Sequence, residues 1–140
     1  MADKLTHKVF EDYIDIYDFN YVVIFSKSVT KGLEKAGLLK DFIKLHNNKY
    51  EALEYSKGAQ GMFIPFKKDE LNVIALQWKS DVSVIVHECF HLVCKLMDST
   101  GIYLEDSSEE AFAYALDYLV KNVLDMQKQA KVERKISKKS

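Results

Sequence analysis

Residues 71–98 read L-N-V-I-A-L-Q-W-K-S-D-V-S-V-I-V-H-E-C-F-H-L-V-C-K-L-M-D. Leu71 to Trp78 is a short apolar run rich in Val, Ile and Leu, which predicts a strand. Lys79 interrupts it, and Ser80 or Asp81 can then accept hydrogen bonds from the free N–H groups at a helix start. The helix is expected to run to about Asp98 and to stop near Gly101, a residue suited to the left-handed position after a helix end. Val82, Val84, Ile85, Val86, Phe90, Leu92 and Val93 make it apolar almost all round, so the whole helix is expected to be buried.

Outward from this unit, Tyr21-Val22-Val23-Ile24-Phe25 predicts a second buried strand. Met62-Phe63-Ile64-Pro65-Phe66 predicts a third. Pro65 cannot donate to a ladder, which makes that strand short or places it at an edge. Residues 8–19, with their mixed aromatic and acidic side chains, are read as a short helix. Ser28 can cap a helix carrying Leu33, Ala36 and Leu39, although Gly32 and Gly37 disfavour one there. Residues 40–50 read as helix or loop, and Lys67 to Glu70 as a polar turn. Ser107 or Ser108 begins a last long helix through Phe112, Leu116, Leu119, Val120 and Val123. Strands early and two long helices late predict an α+β domain, with a small sheet of about three strands packed against the two helices.

The composition (140 residues, 48% hydrophobic, 29% charged) fits one globular domain with a real core, here assigned to residues 1–127. The net charge of −1 hides an asymmetry. Residues 128–140 hold six of the 20 basic residues and only Glu133 of the 21 acidic ones, leaving 14 basic and 20 acidic residues in 1–127. This basic stretch is read as a flexible, solvated tail. It lacks aromatic side chains to stack on bases, so nucleic acid is disfavoured as a partner. No window is apolar enough to cross a membrane, and the N-terminus has no apolar stretch of secretory type. Cys89 and Cys94 lie five apart on one predicted helix and cannot bridge each other. A reducing, cytoplasmic setting is therefore expected.

The chemistry lies in His87-Glu88-Cys89-Phe90-His91. Positions four apart stand one above the other on a helix face, so both imidazoles can aim a ring nitrogen at one tetrahedral Zn2+. Glu88 falls beside that point and can take a proton from a water, as in the H-E-x-x-H arrangement of zinc peptidases. Two histidines and a glutamate on a buried helix would need partners, and one metal ion satisfies all three.

A catalytic zinc needs a third protein ligand. No histidine follows His91, and a metzincin extension would need glycine where Cys94 stands and histidine where Met97 stands. Asp98 is seven residues along the helix from His91, about 10 Å away. Cys94 reads as a buried apolar thiol. The acidic run Glu105, Asp106, Glu109 and Glu110 supplies the candidates, with Glu110 preferred and Glu109 the alternative. Ser107-x-x-Glu110 also fits a helix capping box, and Asp106-x-x-Glu109 fits capping too, so a purely structural role stays open.

H-E-C-F-H followed after eighteen residues by Glu110-Ala111-Phe112-Ala113-Tyr114 resembles the gluzincin arrangement, and more narrowly the short metallopeptidases of phages and prophages. The resemblance covers roughly residues 71–120. It implies a zincin-like fold and one Zn2+ held by His87, His91 and Glu110. Glu88 would be the general base, and a peptide or protein the substrate. It also implies that Leu71–Trp78 lines the cleft and pairs with an extended substrate. Tyr114 or Tyr103 is a candidate second donor to the oxyanion. A non-catalytic zinc protein that binds a host or phage partner, a zinc hydrolase of a non-peptide bond, and a nucleic-acid-associated factor using the basic tail remain the alternatives.

Overall fold

The computed structural model describes residues 5–46 and 48–139. Met1–Lys4, on which part of the reading of the N-terminus falls, Asn47 and Ser140 lie outside the described residues. The elements in order are β1 (His7–Ile14), β2 (Phe19–Ser26), α1 (Val29–Lys35), α2 (Leu39–Lys44), α3 (Lys49–Lys57), β3 (Gly61–Pro65), β4 (Asn72–Gln77), α4 (Val82–Ser99) and α5 (Glu109–Lys139). The four strands form one mixed sheet in the order β1-β2-β4-β3. β2 and β4 run parallel, while β1 and β3 pair antiparallel to them on the two outer sides.

The α+β expectation stands at this level, with one strand more than expected. Residues 8–19 are not a helix. Lys8, Phe10, Asp12 and Ile14 are the better-covered residues of β1, and Val9, Glu11 and Tyr13 between them face solvent. That period of two is a strand period. Only pairing with β2, residue by residue from His7 opposite Ser26 to Ile14 opposite Phe19, makes it decisive.

Helices cover both faces of the sheet. On one face Val22, Ile24, Val73, Ala75, Met62 and Ile64 pack with Val29, Leu33, Phe42 and Ala52 from α1–α3. On the other, Tyr21, Val23, Phe25, Ile74 and Leu76 pack with Ile85, Cys89, Leu92, Val93 and Leu96 of α4 and with Phe112, Leu119 and Val123 of α5. Alternate residues of β2 and β4 thus enter different cores, which is why both strands read as continuous apolar runs. Ser28 caps α1 through Lys31 N–H, as expected.

The motif helix begins and ends under tight local control. Asp81 occupies its N-cap position, but its side chain makes no capping hydrogen bond. The Ser80 hydroxyl donates instead to Gln60 O (2.7 Å) and accepts from Gln77 N–H (3.1 Å). At the far end Gly101 has φ +76°, its N–H donates to Asp98 O, and Ile102 N–H reaches back to Met97 O at 2.9 Å. This is the Schellman arrangement that glycine permits. At the start of α5 the expected Ser107–Glu110 capping box is absent: the Ser107 hydroxyl donates to Glu105, and that of Ser108 to Tyr103 O.

The basic C-terminal stretch is not a tail. α5 continues through it to Lys139, with Ala130 fully buried in the α4 core. Gln127, itself buried, donates its amide to Trp78 O (3.3 Å) and Ser80 O (2.8 Å). The Arg134 guanidinium lies 5.0 Å from the centre of the Trp78 ring, and Glu133 pairs with Lys8 of β1 at 3.1 Å. These contacts hold the last part of α5 against the sheet, overriding the solvated reading that charge alone suggests. Deleting residues 128–140 should therefore lower unfolding stability by about 1–2 kcal/mol, read as a reduced urea midpoint. An unchanged midpoint would return the segment to the status of a solvated tail.

Candidate metal centre

His87, Glu88 and His91 sit midway along α4, under β3. The Nε2 atoms of His87 and His91 are 3.2 Å apart, with ring centroids at 4.9 Å and planes at 73°. Two nitrogens bound at 2.0–2.1 Å to one tetrahedral zinc stand about 3.3 Å apart, so the two rings already converge as a shared ion requires. Without a metal the same contact is an imidazole hydrogen bond, one ring donating Nε2–H to the bare Nε2 of the other.

Burial differs from expectation. α4 is not covered all round: Val82 and Phe90 are exposed, and so are both histidines. Glu88 alone of the three is buried, at 8% exposure. Its Oε1 lies 3.9 Å from His87 Nε2, beyond hydrogen-bond reach. Glu88 lines the groove beside the histidines, where its carboxylate can accept from a water held next to a cation on the two rings. These residues therefore fit a metal and its water. The thiols are also rearranged. Cys94 is exposed rather than buried, while Cys89 is the buried thiol, pushed from 9.0 up to about 12 first by desolvation and then by the Glu88 charge.

Above the motif lies an open groove lined by Tyr55, Gly58, Gly61 and Phe63 as well as His87, Glu88 and His91. It continues past Gly61 along Gln60, Ser83 and Val84. The Phe63 ring runs nearly parallel to His91, 11° between planes and 6.3 Å between centroids. Gly61 brings β3 down onto α4. A Cβ there would meet Val84 Cγ1 at 2.7 Å, Leu76 Cδ2 at 2.8 Å and Glu88 Cγ at 3.4 Å. Hydrogen bonds from the Ser80 hydroxyl and from Gln77 N–H to Gln60 O (2.7 and 3.2 Å) hold the approach to β3 against the start of α4.

The strand beside the groove is β3, not β4. β4 has β2 on one side and β3 on the other, so Leu71–Trp78 keeps no edge for a substrate. β3 pairs with β4 alone and presents its other edge outward. Tyr55 and Phe63 were missed from sequence because they precede the motif by some distance and belong to no spacing pattern with it. The only available signal was that Met62–Phe66 reads as an edge strand.

The acidic candidates lie elsewhere on the surface. Glu109 and Glu110 are exposed in the first turn of α5. Among the described residues, no three His, Cys, Asp or Glu side chains gather into a group able to hold a metal ion. Tyr114 lines a different, aromatic groove with Tyr13, Ile16 and Tyr118, and Tyr103 is exposed on the connection after α4. The tyrosine in the motif groove is Tyr55. Its ring lies 5.9 Å from His46, which packs at 4.7 Å on the buried ring of Phe42.

Two tests follow. Alkylation of the native protein near pH 8 should modify Cys94 and spare Cys89 until the chain is unfolded; equal labelling of both would contradict the packing around α4. Because the folded state holds the Cys89 thiol protonated, its contribution to stability is intact below pH 9 and should decline as pH rises from about 9 towards 12. Gly61→Val should lower stability by about 1–3 kcal/mol by forcing β3 off α4. Comparison with known proteins found no protein-family model, curated protein or solved structure that matches this chain significantly.

Proposed function

We propose that this chain is a small zinc-dependent peptidase of zincin-like architecture, with the metal held on α4 and the substrate laid along β3. The observation that carries the reading is the convergence of the His87 and His91 Nε2 atoms to 3.2 Å in a groove that Glu88 also lines. Two ring nitrogens at the separation a shared tetrahedral ion requires, with a carboxylate lining the same groove, are the parts a zinc-bound water needs.

His87 and His91 would hold Zn2+, with Glu110 the preferred third ligand and Glu109 the alternative. Both glutamates are exposed in the first turn of α5, and either would have to turn towards the histidines to bind. When bound, the ion would polarise a substrate carbonyl and acidify a neighbouring water. Glu88 would take the proton from that water as its oxygen attacks the carbonyl carbon, then hand the proton to the departing amine nitrogen. Tyr55 lines the groove, and its phenol would be the donor to the carbonyl oxygen.

The outward edge of β3 favours a peptide over other acyl compounds. An extended chain can add to it as a further strand, main chain to main chain, while its side chains reach the groove between Phe63 and Tyr55. Gly58 and Gly61 add no side chain to the groove.

Metal analysis after equilibration with Zn2+ tests the reading, together with hydrolysis of a fluorescent casein. One zinc per chain is expected, lost in His87→Ala and His91→Ala and strongly weakened in Glu110→Ala. Glu88→Gln should keep the metal and lose at least about 100-fold in turnover. Zinc retained in Glu110→Ala but lost in Glu109→Ala would move the third ligand by one residue. Zinc bound with no hydrolysis of any peptide would favour a non-catalytic binding protein, and no bound metal at neutral pH would sink the proposal.

A further inference from the structure

The helical course of residues 128–139 changes what the basic C-terminus can do. On a flexible tail lysines have no fixed arrangement. On α5 Lys128, Lys131, Lys135 and Lys138 fall three or four residues apart and so share one face, with Lys139 beside them. The stripe spans about 15 Å along the helix axis. All five side chains are exposed, and among the described residues none is in an ion pair. The nearest acid on this stretch, Glu133, is paired with Lys8. The rest of the chain is acidic, so the molecule has one strongly positive end.

We infer that this stripe docks the protein on the phosphate backbone of duplex nucleic acid, without reading its sequence. Duplex DNA carries one negative charge per about 1.7 Å of axis, a density that a rigid row of lysines matches at several points at once. Apart from the lysines, the long polar side chains here that could read base edges are already committed. Gln127 is bonded to Trp78 and Ser80, Gln129 to Glu133, and Arg134 lies over Trp78. No aromatic residue stands on the stretch, which disfavours single strands held by base stacking. An anionic bilayer is the weaker fit, since Val132 and Ile136 are too little apolar surface to enter an interface as amphipathic helices do.

Fluorescence anisotropy of the full chain with two labelled 20-base-pair duplexes of unrelated sequence tests this. Equal affinity for both is expected, with a slope of log K against log salt of about −3.6 for four phosphate contacts, hence a loss of about 150-fold between 50 and 200 mM salt. Lys131→Glu with Lys135→Glu should abolish binding, and the milder Lys131→Gln with Lys135→Gln should shrink the slope by about half. Both pairs replace exposed side chains, and circular dichroism with urea titration confirms that the fold is kept. Absence of binding at 50 mM salt, binding unchanged in the charge-reversed variant, or binding to phosphatidylserine vesicles or polyglutamate without binding to the duplex would each overturn it.

Discussion

The parallel pairing of β2 with β4 is the constraint from which the rest of the architecture follows. Two parallel neighbours cannot be joined by a tight turn, so the chain between them must leave the sheet and return. It does so through α1, α2, α3 and β3, and three of those elements cover one face on the way. Because β2 and β4 are apolar on both sides, the second face must be covered as well, and α4 with α5 does this. The two outer strands are antiparallel additions, β1 by a short connection through Asp15–Tyr17, β3 by the loop at Lys68–Glu70.

The candidate site is a by-product of how β3 closes on α4. A strand that packs directly across a helix normally stands off by the length of its side chains. Gly61 removes one side chain at the crossing, and the strand comes close enough that Glu88 is buried beneath it while His87 and His91 emerge at its rim. Ser80 ties the loop before β3 to the turn before α4, and Gln127 from α5 bonds the same turn. The far helix thus supports the geometry of the site without touching it. Rigid support of this kind is what a metal-binding pair needs, since its nitrogens must be held to within a fraction of an ångström.

α5 joins two ends of different character. Its first turn is acidic and exposed, its last part basic and packed, and the arrangement complements the helix dipole at both ends. Packing of Ala130 and the Trp78–Arg134 contact extend the helix through a stretch whose composition alone suggests a solvated coil. The lysines that make the stretch look disordered are those left on the outer face once the inner face has found the sheet.

Properties set by neighbours in the chain were legible from sequence. The apolar runs of β2 and β4, the Ser28 cap, the stop at Gly101 and the convergence of His87 with His91 all depend on contacts within a few residues, where spacing dictates geometry. What depended on distant partners was not. β1 needs β2 opposite it before its period of two outweighs a helical reading, and the free edge belongs to β3 only because β2 takes the other side of β4. Exposure of the histidines, burial of Glu88 and the entry of Tyr55 and Phe63 into the groove are decided by where β3 crosses α4 and where the end of α3 leads into it. Local spacing can align two imidazoles on a helix; only the fold decides which side chains surround them and which of them meet water.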